Sequence, residues 1–132
     1  MGVLTVGTVE LAVHDDRYAA DAVGTPEVSK RYVIPSALTP LMLKSGKLVL
    51  SYVWAATADG SIQLYDYTAG AVIVESTGKV GGESSVREEL SIINPDKHIG
   101  HDLGIRVNVT AAGAAGETVR IRGATLEFIT GM

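Results

Sequence analysis

The stretch Lys47–Thr77, KLVLSYVWAATADGSIQLYDYTAGAVIVEST, decides the fold. It is built of short runs of β-branched and aromatic residues, the composition of strands. Two turn signals interrupt it, Asp59-Gly60 and Thr68-Ala69-Gly70. Three consecutive strands are expected. Asp-Gly between apolar runs is a strong hairpin signal, because a type I′ turn needs positive φ at both central residues. With Asp59 and Gly60 as the two loop residues, Ala58 faces Ser61 and every opposing pair is symmetric about that bend. Trp54 then lies across from Tyr65, and Tyr52 across from Tyr67. The chain has one Trp, five Tyr and one Phe, so this hairpin gathers most of its aromatic rings on one face, continued by Leu48 and Leu50. The other face carries Val49, Ser51, Val53, Ala55, Ile62 and Leu64. A ribbon that is apolar on both sides must cover both, one with its own core and the other with a second layer, a partner or a ligand.

Outward from this stretch the β pattern continues. Residues 3–14 alternate, with Val9, Leu11 and Val13 on one side and Glu10, Ala12 and His14 on the other. This first strand is expected to pair within its own chain, with exchange between neighbouring chains as the alternative. Asp15–Thr25 loses alternation and reads as a loop with at most one helical turn. Val28–Ile34 is a short strand closed by Pro35, and Pro40 keeps the next residues extended or turning before Leu41-Met42-Leu43. After a glycine-rich turn at Gly78–Gly82, residues 84–93 carry two patterns: a capping box of Ser85 with Glu88 and Glu89, and an alternation of Val86, Glu88, Leu90 and Ile92. The β flanks and the turn at Asn94-Pro95-Asp96 decide for a strand. Ile105, Val107 and Val109 alternate cleanly with Arg106, Asn108 and Thr110. The last strand runs from Glu117 to Thr130, where Val119 and Ile121 have one parity and Ala124, Leu126 and Phe128 the other. A β-bulge at Gly123 brings both sets to one core. The sum is an all-β protein of eight or nine short strands, an antiparallel two-sheet sandwich of jelly-roll or Greek-key type. No repeat of 20 to 50 residues is present, which argues against a propeller or solenoid.

Composition narrows the function. A chain of 132 residues suits one domain, 1–132, and is 46% apolar and 20% charged, which excludes disorder. Its apolar runs are far short of the roughly 20 residues of a membrane-spanning helix. A net charge of −4 with scattered basic residues offers no footprint for nucleic acid or an anionic membrane. Cysteine is absent, so disulfides, thiolate metal sites and a cysteine nucleophile are excluded. MGVLTVGTVELAVHDD lacks the basic and apolar regions of a signal peptide, and Val6 stands where myristoylation of Gly2 requires Ser or Thr.

In strand count and turn chemistry the whole chain resembles the jelly-roll and β-sandwich subunits that build viral capsids and surface assemblies, and also carbohydrate-binding sandwich modules. The resemblance implies no site residues. Candidate residues come from the sequence itself. Tyr52, Trp54, Tyr65 and Tyr67 form a core stripe, a subunit interface or a sugar-stacking platform, with Gln63 and Asp66 near enough to supply hydrogen bonds. His98 and His101, three residues apart, with Asp102 as the carboxylate, are the candidate metal ligands; His14 is a more distant third imidazole. Two of Arg106, Arg120 and Arg122 are expected side by side across the last hairpin. The sequon Asn108-Val109-Thr110 falls in mid-strand, and GKVGGESS lacks the Lys-Ser or Lys-Thr of a phosphate loop. Glu88 and Glu89, adjacent on a strand, face opposite ways and cannot act on one bond. No nucleophile elbow or H-E-x-x-H is present. The expectation is therefore a non-enzymatic structural subunit, needing no cofactor, that self-associates as a homo-oligomer in a virion or extracellular assembly. A carbohydrate-binding module is the alternative.

Overall fold

The computed structural model describes residues 5–12, 16–25, 27, 31–35, 43–76 and 85–130. Nine strands are described: β1 Thr5–Ala12, β2 Asp16–Ala19, β3 Tyr32–Val33, β4 Leu43–Val53, β5 Asp59–Asp66, β6 Ala71–Glu75, β7 Val86–Ile92, β8 Asp102–Ala111 and β9 Thr118–Thr130. A 3-10 turn at Pro95–His98 precedes β8. One sheet has the order β1-β9-β4-β7, with β2 beside β9, and the other has the order β3-β8-β5-β6.

The pairings β1–β9, β3–β8, β4–β7 and β5–β6 follow one rule. Thr5 faces Thr130, Tyr32 faces Leu103, Leu48 faces Leu90 and Gln63 faces Glu75. All four pairs are centred on the turn Tyr67–Gly70. The chain is one long antiparallel hairpin, bent once at that turn and then rolled so that its ladder divides between two sheets. Nested pairing of this kind is the jelly roll. Gly70 holds the bend with φ of 70°, and its amide donates to the Asp66 carbonyl at 2.8 Å.

The expected hairpin about Asp59-Gly60 does not form. β4 and β5 lie in different sheets, and Trp54–Ala58 carries the chain from one to the other. A tight turn would have left the ribbon's second apolar face uncovered. The crossing instead sets Leu48, Leu50 and Tyr52 in one buried cluster with Ile62 and Leu64, and all five are fully buried. The second layer that the doubly apolar stretch demands is thus supplied by its own next strand. Asp59-Gly60 marks a bulge: Asp59 opposes Ala111 while Gly60 opposes Val109, so β8 has one residue more. Gly60 has φ of 149°, and a Cβ there would lie 1.9 Å from the Asn108 carbonyl oxygen.

Elsewhere the strand pattern holds. Residues 86–92 are the strand β7. Where Ser51 opposes Gly123 and Tyr52 opposes Ile121, β9 has an extra residue, and on either side of it Val119, Ile121, Ala124, Leu126 and Phe128 are all buried. This is the bulge expected at Gly123. The reading of Asp15–Thr25 as a loop is corrected in part: Asp16–Ala19 is a strand, because β9 extends beyond its bulge and offers an unpaired edge to it. Arginines on β8 and β9 are not neighbours, since those strands belong to different sheets. Arg106 bonds Gln63, and Arg122 donates to the Ser85 hydroxyl at 2.6 Å. The readings at Val28–Lys30, Leu41-Met42, Gly78–Gly82 and His14 lie outside the described residues.

Candidate functional site

The four aromatic residues expected on one face are divided between two environments. Tyr52 on β4 and Trp54 just beyond it point into the core and are buried. The Trp54 indole Nε1 donates to the Ala58 carbonyl at 2.8 Å, and the Tyr52 hydroxyl donates to Glu88 at 2.9 Å. Burial and the Glu88 carboxylate push the Tyr52 phenol up to about 12. Each ring keeps its polar atom satisfied inside the single chain. Tyr65 has the opposite parity to Ile62 and Leu64, and it lies with Tyr67 on the outer side of the second sheet. Their ring centroids are 4.9 Å apart, edge to face.

That outer face is organised by cations. The Arg106 guanidinium lies 3.7 Å above the Tyr65 ring, and the Arg31 guanidinium lies 3.7 Å above the Tyr67 ring. Arg31 is anchored by Glu27 and Asp102, each at 2.7 Å. Arg106 Nε donates to Gln63 Oε1 at 2.8 Å, and Gln63 Nε2 donates to Glu75 at 3.0 Å. Ser61 adds a third bond, to Glu75 at 2.8 Å. Gln63 is therefore a buried relay beneath the rings rather than a free hydrogen-bonding group. A four-ring sugar platform is not assembled: two rings are enclosed and the other two already carry a guanidinium.

The bonds from Gln63 and Ser61 hold the Glu75 carboxyl below its ordinary value. Its folded-state pKa is depressed, so its contribution to stability is present above the unfolded value of about 4.5 and is lost as pH falls through the folded one. Urea melts between about pH 6 and pH 3 are expected to show a declining midpoint that is flatter in Glu75→Gln. An equally steep decline in that variant would remove Glu75 as a cause.

A second cluster lies at the end of β5. The parity that sends Ile62 and Leu64 inward also sends Asp66 inward, and its side chain is fully enclosed. Its Oδ1 accepts the amides of Thr68 at 3.0 Å and Ala69 at 2.8 Å, which also shapes the bend of the long hairpin. Its Oδ2 lies 2.8 Å from His98 Nδ1 and 2.6 Å from His101 Nδ1. Burial raises the Asp66 pKa, but the Ala69 amide and the two imidazoles outweigh it and hold the carboxyl below its usual value. The expected metal-ligand set is corrected here. His98 and His101 do converge, but Asp102 faces the other side of the sheet and bonds Arg31, so Asp66 is the carboxylate that joins the histidines. An acid at the same parity as the apolar Ile62 and Leu64 was the signal in the sequence for that role.

Eight strands nested about one bend, with a ninth short strand added at β9, define the class: a jelly-roll β-sandwich. A chain in the structure of infectious bursal disease virus, Gx strain, has the same fold, with a TM-score of 0.52 and 10% identity. The likeness covers 98% of this chain and 32% of that one, so the chain spans about a third of that structure's length. The resemblance to the β-sandwich subunits of viral capsids therefore holds along the whole chain at the level of the fold. No family model and no curated protein matches the sequence. Among the described residues no helix is long and apolar enough to cross a membrane.

Proposed function

We propose that the protein is a non-catalytic structural subunit of the capsid or capsid-decoration kind, which assembles with copies of itself in a virus particle. The observation that carries this reading is the fold likeness, over 98% of the chain, to a chain in the structure of a virus. The route to assembly follows from the sheet edges. In the first sheet the edge strand β7 bears Arg87 and Glu89 on its exposed side, charges that discourage strand addition. In the second sheet the edge strand β6 reads Ala-Val-Ile-Val-Glu, with Val72 exposed and Ile73 and Val74 half-buried. It has no lysine or proline to blunt it. Tyr65 faces Val72 across the β5–β6 ladder, and with Tyr67 and the two stacked arginines it continues the outer face of the sheet in residue types enriched at protein interfaces.

Light scattering across a concentration series tests this. The wild-type chain is expected to show a mass well above its 13.8 kDa monomer, rising with concentration. The variant Val72→Lys, at an exposed position of β6, is expected to scatter as a monomer with an unchanged β spectrum by circular dichroism. A wild-type protein that stays monomeric at every concentration overturns the reading.

A further inference from the structure

We infer that Asp66, His98 and His101 form a binding site for one divalent transition-metal ion, with zinc as the best chemical fit. Two imidazole nitrogens and one carboxylate oxygen are a donor set that suits zinc and its neighbours rather than calcium or magnesium, which take oxygen ligands. The three donor atoms lie within 4.8 Å of one another. Both histidines turn the same ring atom, Nδ1, towards the same carboxylate oxygen. The donors thus share a focus instead of merely being close.

The carboxylate is built for such a focus. Its enclosure removes it from water, and Oδ1 is taken up by two backbone amides, which fixes the direction of Oδ2. Neutral imidazoles satisfy Oδ2 as hydrogen-bond donors but leave its charge in place, whereas a divalent cation compensates that charge where screening by water is weakest. The Arg31 guanidinium is engaged by Glu27 and Asp102. A tetrahedral ion with bonds of about 2.0–2.1 Å sets its donors roughly 3.3 Å apart. The present separations of 2.8 Å and 2.6 Å therefore need the rings to swing outward by about half an ångström. The histidines can do this: their side chains are 17% and 30% exposed, on a turn whose intervening Gly100 has φ of 78°. That exposure also leaves room for water as the fourth ligand. The His101 amide, bonded to the His98 carbonyl at 3.0 Å, fixes the spacing of the pair.

The site does not depend on self-assembly, and its test is independent of oligomeric state. Chelator-stripped full-length protein is titrated calorimetrically with zinc, and in parallel with cobalt(II), whose visible absorption reports tetrahedral nitrogen and oxygen ligation. One zinc per chain, a raised melting temperature and a tetrahedral cobalt spectrum are expected, with no response to calcium. His98→Ala and His101→Ala, at partly exposed positions, are each expected to fold and to lose zinc affinity by about 100-fold or more. Asp66→Asn is a third variant, read only if it folds. Wild-type protein that binds no stoichiometric zinc, or histidine variants that keep wild-type affinity, overturn the assignment and leave the histidines as hydrogen-bond donors to a buried acid.

Discussion

Replacing Trp54 by Ala is expected to lower the unfolding free energy by about 3–5 kcal/mol, the range for removing a large aromatic side chain from a packed core. Trp54 is 1% exposed, and its indole nitrogen holds the Ala58 carbonyl inside the segment that carries the chain between the sheets. The loss therefore combines a cavity with an unsatisfied buried carbonyl. Because Trp54 is the only tryptophan, urea unfolding should be followed by circular dichroism rather than by intrinsic fluorescence. A loss below about 1 kcal/mol would mean that the ring lies at the surface, as an open sugar platform or a free interface would require.

The second large effect is expected at Gly60. Gly60→Ala places a methyl carbon 1.9 Å from the Asn108 carbonyl oxygen, which is backbone and has little freedom to retreat. The left-handed φ adds its own cost, and together a loss of about 3 kcal/mol or more is expected. Gly70→Ala is the natural comparison. Its φ of 70° is also unfavourable for alanine, but the nearest atom to its Cβ is a tyrosine hydroxyl at 3.8 Å, so about 1 kcal/mol is expected. Equal losses at the two glycines would mean that Gly60 is an ordinary turn residue and not a close approach between β5 and β8.

These two positions also show where the sequence was readable. Parity within a strand was legible: Leu48, Leu50, Tyr52 and Trp54 share one buried face and Ile62 and Leu64 another, though the two faces meet in one core instead of lying on opposite sides of a ribbon. The bulge near Gly123 was legible because apolar parity changes across it, which only an inserted residue can reconcile with one buried face. The identity of a strand's partner was not. Asp-Gly satisfies a local rule for a tight turn and equally suits a strand position where positive φ and the absence of a Cβ are needed, as at Gly60 against Asn108, and nothing within a few residues distinguishes them. The short strand Asp16–Ala19 was hidden for a related reason, since it gains its ladder only from the far end of β9. Likewise His98 and His101 stood out by spacing, while Asp66 was read only as a hydrogen-bonding group beside the aromatic rings.

By itself the sequence determined the all-β class, most strand positions and which residues of a strand share a face, because side-chain alternation and turn chemistry are properties of a few adjacent residues. The bend that matters, Tyr67–Gly70, the burial of Tyr52 and Trp54 and the meeting of Asp66 with two histidines some thirty residues away were decided only by tertiary structure. The physical reason is one of range. Short-range signals say that a chain will turn, but which turn becomes the axis of the roll depends on which pairing hides the most apolar surface once both sheets are closed.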